Sequence, residues 1–286
     1  MPLKSIVGLD HVVILARRLD AAAETWRALG FTVAPRGVHT AAMGTANHTI
    51  MLAEDYIELI GVVADTERNA PTREFLKTRG EGIERSAFTT TSAADGVAEI
   101  KARGLEGTGP FDFGRPVDLP DGRKTEARFR TFLWPLNDRP GGMRIFACEH
   151  LTREAVWFPE LTRHANTATR IDRVELVSAN PRQAAEHMSR LIDRPVTTDD
   201  DGALRVTSGG TRGAFVFLDR ATLEKRHPGV PLDGLPQEGG VTLALRVANA
   251  DAAKSAVGGR GVTTKPGSIT VPPRYANGVI LELAQG

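Results

Sequence analysis

Residues 8–16 are almost wholly apolar and divide between two sides with period two. Leu9, His11, Val13 and Leu15 fall on one side; Asp10, Val12, Ile14 and Ala16 fall on the other. That pattern predicts a strand apolar on both faces except for His11. A helix follows over Asp20–Leu29, with Asp20 as N-cap, Ala22, Trp26 and Leu29 along one stripe, and Gly30 as its stop. Three strands are then expected near Phe31–Ala34, Asn47–Ala53 and Tyr56–Val62. On the last of them Ile57 and Leu59 share one face, while Tyr56, Glu58 and Ile60 share the other. A helix laid over the Val12/Ile14 and Ile57/Leu59 side leaves His11 and Glu58 together on the open side.

The same order of elements returns. Gly82–Ser92 reads as a strand, Asp95 as the cap of a helix ended by Gly104, and Phe113–Leu119, Ala127–Trp134 and Met143–Glu149 as strands. The first two of these join through the turn sequence Pro120-Asp121-Gly122. After an aperiodic linker, His150–Thr169, a third unit starts with the strand Ile171–Ala179. Its helix opens at Asn180-Pro181 and buries Ala184, Met188 and Leu191. Strands near Arg194–Thr198, Ala203–Ser208 and Gly213–Leu218 complete it. A Pro- and Gly-rich connection, Leu223–Gly239, leads to a fourth unit: Val241–Val247, a short helix from Asp251, and Gly278–Ala284. Aligned strand to strand, Ser86, Arg173 and Thr242 take the place of His11, and Phe146 and Glu282 that of Glu58. The spacing suggests one module used four times.

Composition narrows the function. At 286 residues the chain has room for two cores, and the expected division is 1–168 and 169–286. Lys plus Arg (36) nearly cancels Asp plus Glu (35), so no global field favours nucleic acid or an anionic membrane. A single cysteine, Cys148, excludes an intramolecular disulfide and a cysteine-rich zinc site. The absence of disulfides, of a signal peptide and of any run of about 18 apolar residues leads to the expectation of a cytoplasmic protein.

A β-α-β-β-β module that opens Gly8-Leu9-Asp10-His11-Val12 and closes Tyr56-Ile57-Glu58-Leu59 resembles the vicinal oxygen chelate superfamily. Gly44-Thr45-Ala46-Asn47 and Glu149-His150-Leu151-Thr152 are similar to its glyoxalase-like domain proteins. The resemblance implies an α+β fold of four βαβββ modules, paired into two cupped sheets with helices outside, and chemistry on the concave wall of a cup. It also implies that the first and fourth strands of a module are parallel neighbours. For function it implies a glyoxalase- or dioxygenase-type enzyme, a lyase, isomerase or dioxygenase, acting on a small oxygenated molecule, with a divalent metal (Mn, Fe, Ni or Zn). His11 and Glu58 would match two metal ligands. The other two positions fall on Ser86 and Phe146, a departure from the pattern, since phenylalanine cannot coordinate a cation. His150 is the candidate replacement ligand.

Within that frame Glu58 and His11 are the expected acid–base or metal-binding pair. Arg115 and Arg130 suit a small carboxylate or phosphate, and Phe88, Trp134 and Phe146 are expected to line the cup. Cys148 lacks an activating base nearby in sequence and reads as an inert thiol. In the second half an arginine beside a glutamate, Arg173 with Glu282, suggests an ion pair filling a former site, so that half is expected to pack against the first cup or to assemble a homodimer. The competing reading is a metal-free protein of the same fold that binds or sequesters a small molecule.

Overall fold

The computed structural model describes residues 3–118 and 124–286; the turn expected at Pro120-Asp121-Gly122 lies outside them. The first module runs β1 (Ile6–Leu15), α1 (Leu19–Arg27), β2 (Gly37–Val38), β3 (Thr45–Met51) and β4 (Tyr56–Val62). A helix that the sequence pattern did not suggest, α2 (Ala70–Thr78), leads into the second: β5 (Gly82–Thr90), α3 (Ala93–Ala102), β6 (Thr108–Asp118), β7 (Lys124–Leu133) and β8 (Arg144–His150). The third holds β9 (Ala168–Val177), α4 (Pro181–Ile192), β10 (Val196–Thr198), β11 (Leu204–Thr207) and β12 (Ala214–Leu218). After α5 (Arg220–Arg226) come β13 (Gly239–Val247), α6 (Ala250–Val257), β14 (Ser268–Val271) and β15 (Ile280–Gln285). The fourth module therefore has three strands among the described residues, one fewer than expected.

The opening and closing strands of each module are parallel neighbours: β1 with β4, β5 with β8, β9 with β12, and β13 with β15. Modules pair through their opening strands, antiparallel, β1 on β5 and β9 on β13. The first two modules thus form the strand order β2-β3-β4-β1-β5-β8-β7-β6, and the last two form β10-β11-β12-β9-β13-β15-β14. Among the described residues the strand ladder passes from one array to the other through a single pair, Gly240 with Ile83. The fold is α+β, with α1, α3, α4 and α6 on the convex sides, whereas α2 packs on the concave side of the first array, Leu76 against Val13, Leu15 and Ile60, and α5 packs on the side of the second array opposite α4, Leu223 against Val177, Val216 and Leu218.

Local chemistry explains the placements. The strand β1 is buried along its length except at Val7, because α1 covers one side and the wall of the cup the other. Leu19, Ala22, Ala23 and Trp26 of α1 are buried, and the Trp26 indole donates to Asn277 Oδ1 at 3.1 Å, tying α1 to the second array. Two expected caps differ. The α1 N-cap is Arg18, and Asp20 in the first turn faces Arg36 and His48 instead. The α3 cap is Ser92, whose hydroxyl accepts from the Asp95 N–H. The strand expected at Phe31–Ala34 is also displaced. Phe31 packs its ring against Trp26 and His164, and β2 forms at Gly37–Val38.

Candidate functional site

Strict alternation would send Asp10 away from His11. In the β1–β5 ladder, however, Leu9 lies opposite Phe88 and His11 opposite Ala87, so Asp10 is the extra residue of a β-bulge. Both side chains then reach the concave side. His11 Nδ1 lies 2.6 Å from Asp10 Oδ2. The same carboxylate accepts from Thr89 Oγ1 at 2.6 Å and pairs with His150 Nε2 at 3.0 Å. Burial opposes the charge on Asp10, but the two imidazoles outweigh it and hold the carboxyl well below its ordinary range. With Nδ1 engaged, Nε2 is the nitrogen His11 presents to Glu58, 3.6 Å from Oε2.

The strand β4 brings Glu58 beside β1, in register with Val13. Its Oε1 accepts from Asn47 Nδ2 at 2.6 Å and lies 3.8 Å from His39 Nε2, whose other nitrogen meets Thr45 Oγ1 at 2.8 Å. Burial would raise the Glu58 carboxyl; His11, His39, the Asn47 amide and Arg85 overcome it and lower the pKa. Burial lowers the His39 pKa; Glu58 opposes that, while Arg115 and Arg85 add to it. Arg115, on β6, makes no hydrogen bond or salt bridge with any described residue. Its guanidinium lies against Gly37, where an added Cβ would sit 3.1 Å from it and 2.5 Å from Asn47 Oδ1.

These groups line a cavity of about 700 Å³ to which seven of the eight strands of the first array contribute. Beside the polar groups its wall holds Tyr56, stacked on His11 with centroids 4.3 Å apart, and Phe146, edge-on to His11 at 5.4 Å. Phe113 and Phe129 stack at 5.1 Å, and Phe111 and Leu136 are exposed at the rim. Arg85 and Arg144 also reach the cavity, and both pair with the buried Glu84.

The site residues expected from sequence divide. His11, Glu58, Arg115, Trp134 and Phe146 all line this cavity. Phe88 does not. It points to the helix-covered side and packs against Trp134 and Phe215, because His11 lies opposite Ala87 rather than Ser86, which puts Arg85, Ala87 and Thr89 on the concave side of β5. Ser86 shares that side, its hydroxyl 3.4 Å from Met143 Sδ, and Arg85 enters the cup in its place. Arg130 is also corrected: it lies on the outer face of β7, in a two-bond ion pair with the exposed Asp112. His150 turns to Asp10, behind His11 as seen from Glu58, and lies outside the cavity lining. His48, on the helix side of β3, meets the Ala34 carbonyl at 2.8 Å.

Among the contributors not picked out from sequence are Asp10, His39, Asn47, Arg85 and Arg144. The run Thr45, Asn47, Thr49, polar at every second position of β3, was the available signal for Asn47. His39 follows a two-residue strand too short to carry a pattern.

The residues of the cup fit a bound divalent cation poorly. Three donors, His11, His39 and Glu58, line one wall, with the two imidazoles 3.6 and 3.8 Å from opposite oxygens of Glu58, but their ligand atoms do not all lie within 4.8 Å of one another, and the paired module contributes Arg85 and Phe146, a cation and a hydrocarbon ring. Among the described residues, two groups place three donor side chains mutually within 4.8 Å: Asp10, Cys148 and His150, and Glu175, His227 and Glu282. The second group lies in the other array, where Arg173 donates to Glu175 Oε1 at 2.7 Å and to Glu282 Oε2 at 2.6 Å. The expected ion pair is present, and a guanidinium holds the position at which an ion would sit between those carboxylates.

Residues 9–192 match the family described as Glyoxalase-like domain. No curated protein sequence matches the chain. Among solved structures, a hypothetical protein from Staphylococcus aureus superposes with a TM-score of 0.67 at 13% identity, covering 97% of this chain and 99% of that one. A mutant of 4-hydroxymandelate synthase from Streptomyces coelicolor superposes with a TM-score of 0.66 at 14% identity, covering 100% and 93%. At these identities the likeness speaks to fold. No helix among the described residues is long and apolar enough to cross a membrane. With more than half of its length matched and its modules paired as in that fold, the chain belongs to the glyoxalase-like domain family of the vicinal oxygen chelate superfamily.

Proposed function

We propose that the first cup is the active site of an enzyme that moves a proton on a small oxygenated organic molecule. Glu58 is the base and His11 its acid–base partner. The observation that carries this reading is the geometry of the pair: a buried carboxylate anchored through one oxygen by Asn47, its second oxygen 3.6 Å from an imidazole whose far nitrogen is fixed by Asp10. A guest in the cavity meets Glu58 Oε2 and His11 Nε2 on one wall, and the aromatic groups exclude water. Asp10 positions the ring and touches no guest. The buried thiol of Cys148 suits a reducing, cytoplasmic setting, and a homodimer of the chain belongs to the same reading.

A second reading is a metal-free binding protein. It is favoured by Arg85 and Phe146 standing where ligands to an ion are expected. One experiment separates the two. The protein is incubated in D2O with a panel of 2-oxo and 2-hydroxy carbonyl compounds, and exchange at the carbon next to the carbonyl is followed by NMR. The enzyme reading expects exchange that Glu58→Gln lowers by roughly a hundredfold or more, with the fold intact. Binding without exchange for every compound bound would overturn it in favour of sequestration.

A further inference from the structure

The cavity has more unspent donors than acceptors. Arg115 offers five N–H groups and has no hydrogen-bond or salt-bridge partner among the described residues, although burial lowers its pKa and Glu58 only partly offsets that. Trp134 lines the same cavity and buries an indole N–H that no described group accepts. The Arg115 guanidinium is half-buried and lines the cavity with its donors unspent, so an acceptor-rich guest would use them.

Charge points the same way. Arg85 and Arg144 share the single carboxylate of Glu84, and Arg115 faces the single carboxylate of Glu58. Arg115 is thus the half-buried guanidinium of the lining that no described carboxylate holds in a salt bridge, while Arg68, also in the lining, is exposed, and one anionic group of a guest completes Arg115. A phosphate dianion would bring a second charge with no partner beside Glu58. A planar guanidinium with free edges matches a carboxylate through two parallel hydrogen bonds.

Size and polarity set the rest of the guest. A cavity of about 700 Å³ falls in the middle of the range that holds ligands of drug size, far more than a two- or three-carbon acid fills. Its walls away from the guanidiniums are Phe113, Phe129 and Phe146, and its rim exposes Phe111 and Leu136, at 48% and 55%. Large apolar side chains left exposed at the rim of a deep cavity suit a guest whose apolar end reaches the mouth.

We propose that the first cup binds an amphipathic monocarboxylate, its carboxylate paired with Arg115 and its apolar body lying along the phenylalanines toward Phe111 and Leu136. This deepens the enzymatic reading and rests on it only for the identity of the site, because the test measures binding. Octanoate, octanol, octyl phosphate and acetate are titrated calorimetrically into the full chain. Octanoate is expected to bind tighter than octanol and than acetate by roughly tenfold or more, the scale of one charge-assisted hydrogen bond. Arg115→Met should erase the advantage of octanoate over octanol, and Phe111→Ser, at an exposed position, should weaken octanoate while leaving acetate unchanged. Octanol binding as tightly as octanoate, octyl phosphate binding tighter, or Arg115→Met leaving the preference intact would overturn the proposal, and the first two comparisons need no variant at all. Glu58→Gln distinguishes the two readings. It should keep or tighten octanoate binding through loss of a negative charge, whereas the proton-transfer reading expects it to abolish exchange.

Discussion

Asp55 gives a quantitative test of the joint between the two arrays. It sits in the turn between β3 and β4, three residues before Glu58, and is 1% exposed. Its two carboxylate oxygens accept from the Ile171 N–H of β9 at 3.1 and 3.2 Å. Burial raises its pKa from 3.8 to about 7; the Ile171 hydrogen bond and Arg212 oppose the rise, and the charge of Asp10 adds to it. A carboxyl with a raised folded-state pKa holds its proton more tightly when folded. Its contribution to stability is therefore complete below the unfolded value of 3.8 and is lost as pH rises toward about 7. At about 1.4 kcal/mol per pH unit the interval from 3.8 to about 7 is worth roughly 4 kcal/mol as an upper bound. Asp55→Asn keeps an acceptor for Ile171 and removes the ionisation, while its new amide N–H groups cost about 1–3 kcal/mol if left unpaired. The variant should therefore be neutral or less stable than wild type near pH 4, gain on it steadily up to about pH 7, and hold that gain to pH 8. Urea unfolding of both proteins across that range reads the difference. A stability difference that stays flat with pH would refute the assignment of a shifted, buried carboxyl at this joint.

Two further perturbations test the two interiors. Gly37→Ala places a methyl 2.5 Å from Asn47 Oδ1 and 3.1 Å from the Arg115 guanidinium; overpacking of this kind costs about 1–3 kcal/mol. It should weaken octanoate binding by displacing both side chains, and unchanged urea unfolding together with unchanged calorimetry would show that Gly37 does not set their positions. Arg173→Met in the second array takes a cation from Glu175 and Glu282, buried to 0% and 1% exposure, which keep Arg226 and His227 and, for Glu282, Lys265, and should destabilise the protein by roughly 1–3 kcal/mol. Part of that loss should be recovered in acid as Glu175 takes up a proton, with ligand binding in the first cup untouched; a loss identical at pH 5 and pH 8 would deny that under-compensated charge is its cause.

Period-two alternation and helix punctuation were enough to recognise the module and its reuse, because burial of one face writes itself into local sequence. The strand Tyr56–Val62 was read to its ends, and Ile57/Leu59 separated from Glu58 as expected. His11 beside Glu58 followed from the same rule plus the parallel pairing of opening and closing strands. What failed was whatever depends on register between distant strands. One inserted residue at Asp10 brought a carboxylate to the side of His11, and on β5 the concave face carries Arg85 where Ser86 and Phe88 were expected. Arg115 and Arg130 look alike in sequence, yet the hairpin of β6 and β7 sends one into the cavity and the other to an exposed aspartate. The chain alone determined its modules and its principal imidazole–carboxylate pair, since both rest on neighbours in sequence and a strand period of two. Which guanidiniums, amides and second imidazoles surround that pair was decided by tertiary structure, because a bulge or a turn many residues away changes which face a side chain shares.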